Sequence, residues 1–131
     1  MVATEKGFTL IEVLVAMAVF SVALLGLARM QIAAIQVNTI ASRLTQGTTL
    51  AQDRAERLMA LPYNDPTLAD TTATGIFTSY TDPNSPQGYT IRWDVDTDVP
   101  SPGIKTINIF VTWRNRNASK TFSLAVQKSS V

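Results

Sequence analysis

The chain contains no cysteine and no histidine. Without cysteine, no disulfide can staple the fold, and the redox compartment cannot be read from thiols. Together the two absences remove most nucleophilic, acid-base and transition-metal chemistry. No nucleophile-base or acid-base pair stands out among the remaining residues, so we expect neither catalysis nor a cofactor.

The charge balance also lacks a dominant sign. Eleven basic and ten acidic residues leave a net charge of +1, which exerts no overall attraction toward nucleic acid or acidic membranes. The 131 residues suffice for one domain, and the hydrophobic 46% of them are spread unevenly. The composition therefore predicts one strongly apolar element attached to a small head.

The apolar element is the run from Phe8 to Ala28, which Arg29 closes. About 20 helical residues reach about 30 Å, the thickness of a bilayer core. A secretory signal peptide is a poor description, because its apolar stretch is shorter and a small-residue cleavage site follows it. A plain membrane anchor leaves Glu12 unexplained, since a carboxylate in lipid costs about 2.5 kcal/mol or more at the centre. A charge retained in such a place indicates a partner.

The helical pattern continues well past the apolar run. No proline occurs between Phe8 and Leu61, so one helix from Phe8 to Leu61 is expected, ended by Pro62. Its second half is amphipathic, and its apolar or small stripe comprises Val37, Ile40, Leu44, Gly47, Ala51, Ala55 and Leu58. Gly47 lies where a sheet is expected to approach closely. Asp53 and Arg57, four residues apart, predict a supporting ion pair.

The rest of the chain predicts a small antiparallel sheet. Alternating apolar residues indicate three strands, Tyr89–Val95, Lys105–Trp113 and Lys120–Val126, with a fourth short strand or edge at Ile76–Tyr80. Arg114–Ser119 reads as the hairpin turn between the last two strands. Each strand has one apolar face, and these faces would cover the helix stripe. The predicted class is α+β, with a long N-terminal helix at about 8–61 packed by three to four strands.

Two clusters in the head are candidate binding sites. Asp94, Asp96 and Asp98 recur at every second residue and are weak candidates for calcium, because the glycine of an EF-hand loop is missing. Basic residues with an aromatic neighbour could contact nucleic acid: Arg92, Arg114, Arg116, Lys120 and Trp113. Trp113 fits the apolar strand face better, so we do not expect nucleic acid as a partner.

The residues from Lys6 to Phe20, Lys-Gly-Phe-Thr-Leu-Ile-Glu followed by an uninterrupted apolar run, closely resemble the class III signal of type IV pilins. The resemblance implies that prepilin peptidase cuts between Gly7 and Phe8 and that Phe8 is N-methylated. It implies a leader at 1–7, a transmembrane and filament-core helix at 8–29, and a periplasmic head at 30–131 that includes the second half of the helix. Glu12 then corresponds to the glutamate that, in this family, is implied to fix the axial register between neighbouring subunits.

Charge and resemblance together suggest a mechanism. Cleavage creates an α-amino group on Phe8 with a pKa of about 8, and a neighbouring subunit's Glu12 can pair with it in a low-dielectric core. Lys6 before the span favours a cytoplasmic leader. By resemblance, the protein is a single-pass inner-membrane protein that moves into a pilus at the cell surface. Its implied partners are the membrane lipid, the assembly platform, the peptidase, and other minor and major pilins.

Two shorter segments indicate which kind of type IV pilin the chain resembles. Leu24–Ala28 and Leu50–Leu58 look like those of PilV-type minor pilins, which are type IV pilus modification proteins. The implied function is a structural subunit that helps to initiate assembly or forms the tip complex. Two alternatives stay open: a minor pseudopilin of a type II secretion system, and a tip subunit that binds a surface ligand or DNA.

Overall fold

The structure is a computed structural model that describes residues 7–72, 79–115 and 118–130. It has one long helix, α1 (Leu10–Ala60), and a 3-10 turn at Pro66–Leu68. Four strands follow: β1 (Tyr80–Thr81), β2 (Tyr89–Thr97), β3 (Ile104–Asn115) and β4 (Ala118–Ser129). The sheet is antiparallel throughout, in the order β1-β2-β3-β4. The α+β, pilin-like arrangement predicted from the sequence is confirmed.

The chain divides into two compact units, Met1–Thr39 and Ile40–Val131. In the first unit every described residue, from Gly7 onward, is exposed. The second unit holds the hydrophobic core, in which three small or apolar residues of α1 meet the inward faces of β2 and β3. The core residues are Ala51, Ala55, Leu58, Leu68, Ile91, Trp93, Val95, Ile107, Ile109, Val111 and Trp113.

The helix stripe is confirmed only in its later part. Gly47, Ala51, Ala55 and Leu58 are buried. Val37, Ile40 and Leu44 stay 66%, 49% and 47% exposed, so the prediction that the sheet covers them is wrong. A 3.6-residue period reports which face is apolar and says nothing about where a covering sheet begins.

Gly47 confirms the expected close approach. A Cβ built on Gly47 would lie 3.0 Å from Cζ3 of Trp113. Trp113 is 6% exposed and contacts the ring of Tyr89, whose hydroxyl donates to the backbone carbonyl of Arg43 at 3.3 Å. The absence of a side chain at Gly47 therefore lets the helix and the sheet come together.

The strands are longer than predicted. β3 and β4 pair without a break from Ile104↔Ser129 to Asn115↔Ala118, so the predicted turn Arg114–Ser119 is too wide. Lys105 and Lys128 occupy inward positions at one end of this pair, where the apolar alternation seemed to stop. Their ammonium groups are satisfied by carbonyl oxygens, which lets the strands continue. Of the predicted edge at Ile76–Tyr80, Ile76–Thr78 lie outside the described residues, and Tyr80 begins β1.

Candidate functional site

The described residues of the first unit, 7–39, present an exposed apolar surface. Its large side chains are mostly more than half exposed, for example Phe8 at 82%, Leu10 at 81% and Met30 at 73%. By length and composition α1 could cross a membrane, since an 18-residue window reaches a mean hydropathy of 2.5 with none of it buried. Apolar surface on this scale needs lipid or other proteins as its surroundings.

Two of the predicted site residues lie on one face of this surface. Phe8 and Glu12 line a single open groove with Val13, Ala16, Met17 and Phe20. The spacing of these residues is that of one helix face. Glu12 is exposed and is the acidic residue of the first turn. The groove therefore combines apolar walls with one carboxylate, a combination that suits an apolar partner carrying a positive charge.

Thr9 caps the start of α1, a detail that the sequence analysis missed. The backbone N–H of Glu12 donates to the carbonyl of Thr9 at 3.1 Å and to its hydroxyl at 3.4 Å. Thr9-Leu-Ile-Glu12 matches the capping-box pattern, in which the glutamate would accept the N–H of the threonine in return. Within the described residues, the Glu12 carboxylate does not accept this hydrogen bond from the backbone N–H of Thr9. Capping is thus a rival explanation for Glu12 that an experiment must separate from charge pairing.

No contact within the described chain and no special backbone conformation requires glycine at Gly7 or Gly26. A Cβ added at Gly7 or Gly26 would meet nothing within 4 Å, and neither residue adopts a positive φ. Glycine inside a helix costs about 1 kcal/mol relative to alanine, so Gly26 weakens α1 with no compensating contact inside the chain.

The three aspartates of the head do not converge on one point. Asp96 accepts a hydrogen bond from Asn108 Nδ2 at 3.1 Å. Asp98 has a φ of 62° and accepts from the backbone N–H of Gly103 at 2.8 Å, so it holds the turn between β2 and β3. Asp94 lies on β2, two residues before Asp96. Among residues 7–72, 79–115 and 118–130, no group of three acidic side chains is arranged to hold a metal ion.

The basic residues of the head are also separated. Trp113 is buried in the core and cannot stack on a base, as its strand position predicted. Arg92 lies on the outer face of β2, while Arg114 and Lys120 lie at the far end of the β3-β4 pair. The side chain of Arg116 lies outside the described residues. The predicted ion pair between Asp53 and Arg57 is confirmed, at 3.0 Å on the exposed face of α1.

One long N-terminal helix with an antiparallel sheet laid on its later part defines a pilin-like α+β protein. Comparison with protein families adds one match: residues 3–28 fit the prokaryotic N-terminal methylation motif. The motif and the exposed apolar helix support a type IV pilin-like protein. They fit an inner-membrane anchor that later enters a pilus. No curated protein and no solved structure matches the chain.

Proposed function

We propose that the protein is a minor pilin, a structural subunit that starts assembly of a type IV pilus or forms its tip. The observation that carries the proposal is the apolar first part of α1, which is exposed throughout residues 10–39 and carries one carboxylate in its first turn. Such a surface is stable first in lipid and then among other helices of the same kind. The partners that follow are prepilin peptidase, the inner-membrane assembly platform, and other minor and major pilins.

Cleavage between Gly7 and Phe8 prepares the contact between subunits. The cut creates an α-amino group on Phe8, which is methylated and cationic at neutral pH. A neighbouring subunit offset along the fibre brings its Glu12 to this amine. Because an unpaired charge buried in an apolar core costs about 3–5 kcal/mol, the pair fixes the axial register of the subunits. The span crosses the inner membrane once, with Lys6 inside and the head in the periplasm.

Glu12 variants test the register pair against helix capping. Glutamine serves in a capping box as glutamate does, but it carries no charge. We expect both Glu12→Gln and Glu12→Ala to insert in the membrane and to be cleaved, and both to be nearly absent from sheared fibres. Quantitative immunoblots of membrane and fibre fractions measure this. Incorporation of Glu12→Gln at the wild-type level would show that capping, and not charge, is the role of Glu12.

Processing is tested by mass spectrometry of the protein recovered from fibres. We expect an N-methylated Phe8 as the first residue, and accumulation of the uncleaved chain when Gly7 is replaced by Val. Because Gly7 has open space around it, this substitution leaves the helix itself undisturbed. An intact leader on fibre-borne protein would contradict the proposed function.

Gene deletion separates the proposed role from its alternatives. Loss of surface fibres, restored by the wild-type gene, is the outcome expected for an assembly subunit. Normal fibres with lost attachment or DNA uptake would favour a tip subunit that binds a ligand. Normal fibres with lost protein export would favour a minor pseudopilin of type II secretion.

A further inference from the structure

The last strand in the sheet order is β4, which forms one edge of the sheet and runs for 12 residues. Among the described residues, the backbone bonds of Thr121–Gln127 are those of the ladder with β3. A strand at a sheet edge presents a row of N–H and C=O groups that another extended segment can pair with.

Between Lys120 and Lys128 the edge lacks the usual protection against such pairing. From Thr121 to Gln127 the sequence Thr-Phe-Ser-Leu-Ala-Val-Gln has no charge, no proline and no glycine. The register with β3 is continuous, so no bulge twists this stretch away. Natural proteins normally block an exposed edge with lysine, proline, a bulge or a covering segment. A seven-residue stretch of this kind is a ready template for pairing with another extended chain.

The inward face of β4 is only partly covered. Phe122, Leu124 and Val126 pack against the core but are half-buried, whereas their neighbours on β3 are fully buried. A strand added beside β4 would place alternate side chains next to these three residues. Its recognition would therefore favour apolar residues at every second position.

One end of the edge is positively charged. Lys120 lies opposite Trp113 on the inward side and is exposed. Arg114 is exposed one residue further along β3, and its carbonyl accepts a hydrogen bond from Arg43 Nη1 at 3.2 Å. Within the described residues, none of these three basic side chains forms a salt bridge. A carboxylate in an added strand would meet this end favourably.

We propose that the β4 edge binds an extended segment of another protein, apolar at alternate positions and carrying a carboxylate opposite Lys120. The segment extends the sheet by a fifth strand. The inference rests on the head alone and stands whether or not the N-terminal helix enters a pilus. The proposed segment is a partner of the head, whereas the N-terminal motif concerns only the start of the chain.

A second copy of this chain is a poorer occupant. Antiparallel pairing of two β4 strands around Leu124 would set Lys120 of each chain opposite Lys128 of the other. Like charges directly opposite each other destabilise a strand pair unless carbonyl oxygens accept from both groups, as they do for Lys105 and Lys128 within the head. Lys128 is in addition turned inward, where its Nζ donates to the carbonyl of Met59.

Peptide binding to the full chain in detergent micelles tests the proposal. The probe is an end-blocked peptide of about nine residues, alternating threonine and valine and ending in glutamate. Matched probes end in lysine or carry methyl groups on every backbone nitrogen. We expect the glutamate peptide to bind, the lysine peptide to bind about tenfold more weakly, and the methylated peptide not to bind. Binding should slow hydrogen exchange of the amides between Thr121 and Gln127.

Two variants supply the controls. Lys120→Glu should reverse the preference between the glutamate and lysine peptides, while Arg92→Glu, an equally exposed change on the far face of the sheet, should leave it unaltered. Circular dichroism confirms that both variants fold. The proposal is overturned if the glutamate peptide does not bind, or if the methylated peptide binds as well. Disulfide formation between chains carrying Ser123→Cys and Ala125→Cys, which start from a protein without cysteine, would assign the edge to a second copy instead.

Discussion

At the scale of single residues, Gly47 decides how closely α1 approaches the sheet. The Trp113 ring that faces it is held from behind by the ring of Tyr89, at 6.0 Å between centroids, so it has little freedom to retreat. Gly26, on the same helix, faces open space. The two glycines thus have the same cost in helix propensity and opposite surroundings, which makes them a matched pair.

We expect Gly47→Val to destabilise the head by about 1–3 kcal/mol, because the added methyl groups overpack the contact with Trp113. Gly26→Val should leave the unfolding of the head unchanged. Thermal or urea unfolding of both full-length variants in detergent, followed by tryptophan fluorescence, measures the difference. Equal stability of the two variants would mean that the ring moves aside freely.

Asp65 is the second residue with a particular local role. Its carboxylate accepts from the hydroxyl of Thr67 at 2.6 Å and from the backbone N–H of Thr67 at 2.8 Å, and so begins the 3-10 turn. These two hydrogen bonds lower the pKa of Asp65 below its ordinary value of 3.8, and the bond from the hydroxyl has the larger effect. The ionised form is therefore the one that the fold stabilises.

The sign of the pH dependence follows from this shift. The contribution of Asp65 is fully present above the unfolded pKa of 3.8 and is lost as the pH falls through the lower folded pKa. We expect the stability difference between wild type and Asp65→Asn to be constant near neutral pH and to shrink below pH 3.8. Urea unfolding at a series of pH values measures it. A difference that grows in acid would refute the assignment.

At the scale of elements, two buried lysines join the sheet to the end of the helix. Lys105 and Lys128 are cross-strand neighbours, 6% and 9% exposed. Lys128 donates to the carbonyl of Met59 in the last turn of α1, and Lys105 donates to the carbonyls of Tyr63 and Leu68, each at 2.8 Å. The negative end of the helix dipole and these carbonyls stabilise the two ammonium groups, and no carboxylate of the described residues forms a salt bridge with either.

Removing one of these lysines leaves carbonyl groups without a donor. We expect Lys105→Met to destabilise the head by about 1.5–3 kcal/mol, since hydrogen bonds to charged groups contribute about that much. Lys120→Met, on the exposed end of β4, should change stability by less than about 0.5 kcal/mol. Urea denaturation of the two variants, with equal slopes against denaturant, gives the comparison. A Lys105→Met variant as stable as the control would show that water replaces the ammonium group.

A second set of contacts between α1 and the sheet fixes the loop before β2. Arg54 of α1 lies 4.3 Å from the centre of the Trp93 ring and pairs with Asp82 at 3.1 Å, and both partners of the ion pair are largely buried. Trp93 stacks on Tyr80 at 5.5 Å and donates its indole N–H to the carbonyl of Thr67 at 3.0 Å. One aromatic side chain thus holds the helix, the 3-10 turn and the edge strand together.

At the scale of the whole molecule, the two units require different surroundings. All core residues lie between Ala51 and Trp113, inside the second unit. The first unit is exposed apolar helix, which water does not favour. The second unit therefore carries its own folding information, and the first depends on its surroundings.

We expect a fragment comprising Ile40–Val131 to be soluble without detergent and to keep its sheet. Its unfolding midpoint should lie close to that of the head within the full chain, because no core residue is removed. Circular dichroism and tryptophan fluorescence during thermal unfolding measure this. A fragment that is insoluble or lacks a cooperative transition would show that the head depends on residues before Ile40.

Local periodicity made much of the protein predictable from its sequence alone. The apolar run, the absence of proline up to Pro62 and the alternation in three strands gave α1 within two residues at each end and assigned Ile91, Ile109 and Trp113 to the core. These signals are local, since a strand or a helix reports its own buried face. The site residues Gly7, Phe8 and Glu12 came from a contiguous motif, and their roles in cleavage and register stay predictions.

Only the tertiary structure decided which groups would meet across long stretches of chain. It began the helix-sheet contact at Arg43 and the buried part of the stripe at Gly47, and not at Val37. It also buried Lys105 and Lys128 on carbonyls and placed β4 at the edge of the sheet. A buried lysine and a solvated one look alike in sequence, because what distinguishes them is a carbonyl oxygen supplied by residues 37 to 69 positions away. The sequence thus determined the elements and their faces, and the fold decided their partners.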